Sequence, residues 1–105
     1  MRGLHSRGDA LATCDVVVAE VFAGVAANAL EEAQRFIASL LYLTASPVAA
    51  QKAGAWRFQY ARRGIQISTQ DALIAATAHE HEAVVVTGNI RHFQMPELTV
   101  LPLPR

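Results

Sequence analysis

Two short valine runs, Val16-Val17-Val18 and Val84-Val85-Val86, most narrow what this chain can fold into. β-Branched side chains are stiff at χ1 and favour extended backbone. An apolar run of that length, without polar alternation, suits a strand buried on both faces of a parallel sheet. Residues 11–19 (LATCDVVVA) and 83–87 (AVVVT) therefore read as two such strands. Helical spacing fills the interval between them. Residues 29–43 set Leu30, Ala33, Ile37, Leu40 and Leu41 on one stripe. Ser46-Pro47 offers an N-cap and a first-turn proline, and the helix it opens runs to Arg63, where Gly64 stops it. Its stripe is Ala49, Ala53, Trp56 and Tyr60. Ser68 caps a third helix over 69–82, with Ala72, Ala75 and Ala76 as a close-packing face. Ile65–Ile67 reads as a short edge strand. Residues 98–103 read as a final edge strand, bounded by Pro102 and Pro104. Residues 1–10 are polar, contain Gly3 and Gly8, and read as a loop or the tail of a helix. The expectation is an α/β fold: one domain over 1–105, with a parallel sheet flanked by helices.

Length and charge sharpen this. With 105 residues there is room for one core, and 52% apolar against 17% charged residues argues for a folded globule. Nine basic residues balance nine acidic ones, so no global field advertises nucleic acid or a membrane. A local patch remains open, because all the basic residues but Lys52 are arginine, the better phosphate fork. Arg57, Arg62, Arg63 and Arg91 are its candidates, against the commoner reading of a solvated face. The lone Cys14 has no internal partner and reads as a buried, reduced thiol. No stretch reaches the ~18 apolar residues of a membrane span, and the first residues do not form a signal peptide. A soluble, cytoplasmic protein is expected.

Parallel sheets gather function beyond the carboxyl ends of their strands. That rule selects Glu20, past the first valine run, and Asn89, past the second. Asp71 joins them by length. A helix of ~14 residues carries the chain ~20 Å away from it, and a strand of about six residues brings it ~20 Å back. Two carboxylates and a neutral oxygen donor at one rim suit Mg²⁺ or Mn²⁺. The chemistry that follows is metal-assisted hydrolysis of a phosphodiester.

Each residue also has a purely architectural reading. Asp71 follows Ser68 in a Ser-x-x-Asp cap. Glu20 can serve the dipole of a helix start, and Asn89 after Gly88 can be turn chemistry. Only their convergence favours a site. Thr87 could hold a water, though a strand threonine is usually structural. His92 beside Arg91 could touch phosphate or simply pack. His79 and His81, two apart, fall on different helix faces and make no metal motif. Asp15 reads as pointing to solvent or a subunit contact.

Asp71-Ala-Leu-Ile-Ala-Ala-Thr-Ala, followed by Val85-Val-Thr-Gly-Asn-Ile-Arg-His-Phe, resembles the C-terminal signature of PIN-domain ribonucleases of the VapC toxin type. Val16-Val-Val-Ala-Glu-Val-Phe-Ala-Gly is similar to their middle motif, and Pro96-Glu-Leu-Thr-Val-Leu-Pro to their ending. The resemblance covers residues 10–105. It implies an endoribonuclease dependent on Mg²⁺ or Mn²⁺, usually a homodimer, held in check by a cognate antitoxin. It assigns Glu20 and Asp71 as metal carboxylates, Asn89 to the corner where many relatives have a fourth acidic residue, and Thr87 as its support. Arg91 and His92 then face RNA.

One departure stands out. The family's first strand, central in its sheet and ending in aspartate, has no counterpart in the 19 residues before Glu20. Neither Asp9 nor Asp15 sits in such a motif. The fold is therefore expected to be N-terminally incomplete, with its central strand missing, and nuclease activity weak or absent. An upstream segment outside this sequence accounts for the gap best. A strand exchanged with another copy and a toxin remnant are the other accounts. The rival function is a catalytically dead PIN-fold module that binds an antitoxin-like partner through residues 29–63, with Phe36, Tyr42, Trp56 and Phe58 as anchors.

Overall fold

A computed structural model describes residues 4–7, 10–87 and 93–102. In chain order it contains β1 (Leu4–Arg7), β2 (Ala10–Cys14), α1 (Asp15–Gly24), α2 (Leu30–Ala38), β3 (Leu41–Leu43), α3 (Pro47–Ala61), α4 (Thr69–Glu80), β4 (Val84–Thr87) and β5 (Val100–Pro102). The strands form one sheet in the order β3-β2-β1-β4-β5. β2 pairs with β3 in parallel, and so does β4 with β5. β1 lies antiparallel to both β2 and β4, so the other four strands share one direction. The expected α/β sheet with parallel strands and flanking helices is present.

Its centre is where expectation and structure part. Residues 1–10 do not read through as a loop or helix tail: Leu4–Arg7 is a strand, and β2 begins at Ala10. The position expected to be vacant is filled by the first arm of a hairpin running against its neighbours. A tight hairpin needs only a short connection, whereas a parallel neighbour needs a crossover of a dozen residues or more. No room for such a crossover exists between Arg7 and Ala10.

The first valine run is also a correction. β2 ends at Cys14, and Val16, Val17 and Val18 belong to α1. Valine in a helix costs only a few tenths of a kcal/mol relative to alanine. Burying Val17, 1% exposed in the core, returns about 1.5–3 kcal/mol. Asp15 in the first turn also complements the helix dipole. Packing outweighs propensity.

The helix expected over 29–43 is shorter, stopping at Ala38. The Ser39 and Leu40 amides turn back to Phe36 and Ile37 carbonyls. Leu41–Leu43 then pairs with β2 and buries Leu43 at the sheet edge. Ile65–Ile67 is not a strand: the Ile65 amide closes onto Tyr60 O, and Ile67 O accepts from Arg57 Nε. The remaining boundaries follow the sequence. Ser46 Oγ caps α3 at the Ala49 amide, and Gly64 adopts φ +79°, the left-handed conformation that ends it. β5 lies at the sheet edge beside β4.

One core joins these elements. Ala72, Ile74, Ala75 and Ala78 of α4 are fully buried, packed with Ala12, Cys14 and Val85 of the sheet and with Ala53, Trp56 and Tyr60 of α3. The small side chains of α4 let α1 and α3 approach it closely.

Candidate active site at the carboxyl edge of the sheet

Because β2, β3, β4 and β5 point one way, their C-terminal ends define one edge, and α1 leaves the end of β2 there. Glu20 lies on α1, about one and a half turns in, and is half-buried. The strand-end rule selected Glu20 for a different reason from the one the structure supplies, since the valines before it are helical. Asp71 lies in the first turn of α4, 3% exposed. Ser68 Oγ receives its backbone N–H at 3.0 Å, so the cap foreseen for Ser-x-x-Asp is made at the Asp71 amide. α1 and α4 pack against each other, which places both carboxylate-bearing segments in one helix pair. Thr87 closes β4 and is fully buried. Asn89, Arg91 and His92 lie outside the described residues.

Register assigns the strand residues to faces. Ala12 aligns with His5, and His5 with Val85, so Ala12, Cys14, Val85 and Thr87 share the face that α4 covers. Thr13 lies on the opposite face. Its Oγ1 is buried without a hydrogen-bond partner, a feature that nothing in the sequence signalled. On that same face Leu11, Tyr42 and Leu101 are about half exposed.

Carboxylates and hydroxyls are hard oxygen donors, the chemistry that Mg²⁺ and Mn²⁺ prefer. Glu20, Asp71 and Thr87 fit that preference in kind. Among the described residues, however, no three Asp, Glu, His or Cys side chains cluster as a ligand set. The orphaned Thr13 hydroxyl, on the other face, does not extend the set.

Other polar features lie elsewhere. A cavity of about 460 Å³ at the far end of α4 is lined by His79, Glu80, Glu82 and Glu97, the end of the sheet opposite to Asp71. His79 packs edge-on against Trp56, and His81 Nε2 meets Thr44 O at 2.9 Å, so both histidines have structural partners. Asp15 is exposed, as expected, and accepts the Tyr42 hydroxyl. Burial pushes the Cys14 thiol up from its ordinary pKa, in keeping with a reduced, unreactive sulfur. Trp56 is 2% exposed and donates to Glu97, so it belongs to the core and not to a partner surface. Phe36, Tyr42 and Phe58 are exposed.

Comparison with known proteins adds to this geometry. A family model described as PIN domain matches residues 2–98. Ribonuclease VapC19 of Mycobacterium tuberculosis is 34% identical over 98 residues, covering 90% of this chain and 77% of that protein. Ribonuclease VapC10 of the same organism is 36% identical over 87 residues, covering 83% of this chain and 65% of that protein. Among solved structures, DNA-bound VapBC from Salmonella typhimurium superposes with a TM-score of 0.75 at 27% identity, over 85% of this chain and 72% of that one. VapBC2 from Rickettsia felis, bound to a promoter DNA fragment, gives 0.74 at 28% identity, over 89% and 74%. No helix among the described residues is long and apolar enough to cross a membrane.

Proposed function

The chain belongs to the PIN-domain family, in its VapC ribonuclease branch, and we propose that it hydrolyses RNA phosphodiester bonds at the carboxyl edge of the sheet, with Glu20 and Asp71 as its carboxylates. The observation that supports this most is the α1–α4 pair, which carries a half-buried and a buried carboxylate at the carboxyl end of parallel strands. A carboxylate as buried as that of Asp71 is costly to keep for stability alone.

Glu20 and Asp71 are the residues that would hold Mg²⁺ or Mn²⁺, with Asn89 and Thr87 completing the corner. When bound, the ion supplies an activated water and offsets charge on the phosphate. Asp71 is held in register by the Ser68 cap, and its burial excludes bulk water from one side of the site. Glu20, on the facing helix, would accept a proton or orient a water. Arg91 and His92 follow Asn89 and would meet the substrate backbone.

A partner completes the reading. The solved neighbours are VapBC complexes, which supports a VapB-type antitoxin as the ligand of this chain's own helices. Leu30 and Phe36 on α2, each about two-fifths exposed, offer it apolar contacts. A homodimer, with or without strand exchange, is proposed as the assembled form.

The test is metal-dependent cleavage of RNA by the pure protein, with Asp71→Ala and Glu20→Ala beside it. Activity that appears with Mn²⁺, vanishes with chelator and is lost in both variants supports the proposal. Cleavage that survives Asp71→Ala overturns it. Absence of both cleavage and Mn²⁺ binding at millimolar metal favours the inactive, partner-binding module.

A further inference from the structure

The last turns of α3 concentrate positive charge beside the start of α4. Arg57, Arg62 and Arg63 are all exposed. Among the described residues none of the three has a carboxylate within ion-pair distance, whereas Lys52 and His81 both do. Arginines at a helix C-terminus do complement the dipole, but that role needs neither three of them nor an aromatic companion. Phe58 is that companion. It is 63% exposed, with the Arg62 guanidinium 5.6 Å from its ring centre. An apolar ring so placed gains little from folding.

Position links the patch to the candidate site. Arg57 donates through Nε to Ile67 O at 2.8 Å, and Ile67 immediately precedes Ser68, the residue that caps Asp71. That bond fixes the guanidinium and leaves its two terminal nitrogens free to fork a phosphate. The Arg63 guanidinium rests over the buried Tyr60 ring at 4.8 Å, so it too is pre-ordered. The exposed acidic side chains Glu80, Glu82 and Glu97 lie around the cavity at the other end of α4, whereas Asp71 at the near end is buried. The molecule is neutral overall, yet exposed arginines gather at this end of the α3–α4 pair.

We infer that the C-terminal end of α3 is a binding shelf for single-stranded RNA, with arginines on the phosphates and Phe58 stacking a base. The inference rests on the ribonuclease reading for the identity of the nucleic acid, and it deepens that reading by naming where substrate enters. Stacking on an aromatic ring needs an unpaired base, which is why the strand is single. Phosphate contacts from arginine give the affinity its dependence on salt.

The experiment is fluorescence anisotropy of a short labelled single-stranded RNA with the whole chain in chelator, where cleavage does not interfere. Arg62→Gln with Arg63→Gln should weaken binding about tenfold or more at low salt. It should also reduce the slope of log affinity against log salt by about 0.7 for each arginine removed. Phe58→Ala should weaken single-stranded RNA by roughly tenfold while leaving duplex RNA almost unchanged. Thermal melts of the variants guard against unfolding, and Phe58→Leu supplies a second, milder substitution. Variants that melt like the parent and bind RNA with unchanged affinity and salt slope overturn the inference, as does a parent that binds no RNA at low salt. Patch-dependent binding without cleavage retains the shelf and removes the nuclease reading. Cleavage with patch-independent binding does the reverse.

Discussion

The Ser68 hydroxyl oxygen accepts the backbone N–H of Asp71 at 3.0 Å, so the residue that caps α4 also fixes the first turn that carries the buried carboxylate. The two roles of that turn divide between backbone and side chain.

Replacing Ser68 separates them. Ser68→Ala leaves a helix-start N–H unsatisfied and should cost about 1 kcal/mol of stability. Ser68→Asp should restore most of it, since aspartate caps as well as serine does. Urea unfolding of the three proteins checks this, with the midpoint of Ser68→Ala lowest. If it equals the parent, the cap contributes nothing to the fold.

At alkaline pH the Tyr42–Asp15 pair should be visible. Tyr42 donates to the Asp15 carboxylate, and that hydrogen bond, with some burial and the aspartate's charge, pushes its pKa up to about 12. A folded value above the unfolded one of ~10 means the contribution to stability is complete below pH ~10 and is lost as pH rises toward 12. Ultraviolet difference titration should show one tyrosine ionising late, and Tyr42→Phe should remove that step and flatten the alkaline limb of the stability curve. Tyr42 is half exposed, so the effect is small.

Acid tests the other end of the molecule. Glu80 accepts the Ser46 hydroxyl and, at 3.1 Å, the Ser46 amide, and these bonds hold its carboxyl below the usual carboxylate range. With the folded value depressed, the contribution is present above the ordinary pKa and disappears as pH falls through the lowered one. Glu80→Gln should therefore lose less stability than the parent between neutral and acid pH. Parallel pH profiles would show that the bonds do not persist in solution.

The turn after α4 stores backbone strain. Glu82 has φ +53°, the left-handed region that costs a side-chain-bearing residue about 1–2 kcal/mol. Its side chain is exposed, so little packing offsets this. Glu82→Gly should raise stability by roughly 0.5–1 kcal/mol after glycine's own entropy is counted. Chemical denaturation reads the change directly, and a loss of stability would refute the assignment of strain.

What the sequence disclosed follows from which forces act locally. The caps at Ser46 and Ser68, the stop at Gly64 and the alanine face of α4 are short-range signals, and all were legible. Val16–Val18 misled because intrinsic preference pointed to a strand while burial of Val17 and an acidic first turn decided for a helix. Leu41–Leu43 merged into the preceding stripe because three residues are too few to show a period of two. The place of Asp71 at the carboxyl edge of the sheet was legible through its distance along helix and strand. Phe58 was legible as a surface anchor in the partner-binding alternative, but its place beside Arg62 was not, since the sequence does not show which side chain a helical aromatic meets. The polar segment Leu4–Arg7 gave no strand signal of its own.

The antiparallel β1 joins the sheet through two ladders, and the ladders are unequal. β1 and β2 meet across a hairpin, a contact that forms locally and early. β1 and β4 join the two ends of the chain, Leu4 opposite Val86, a closure that becomes favourable only after everything between has been drawn in. The seam between β1 and β4 is therefore the last to zip on folding and the first to part, dividing the sheet into an N-terminal leaf and a C-terminal leaf that open like a book.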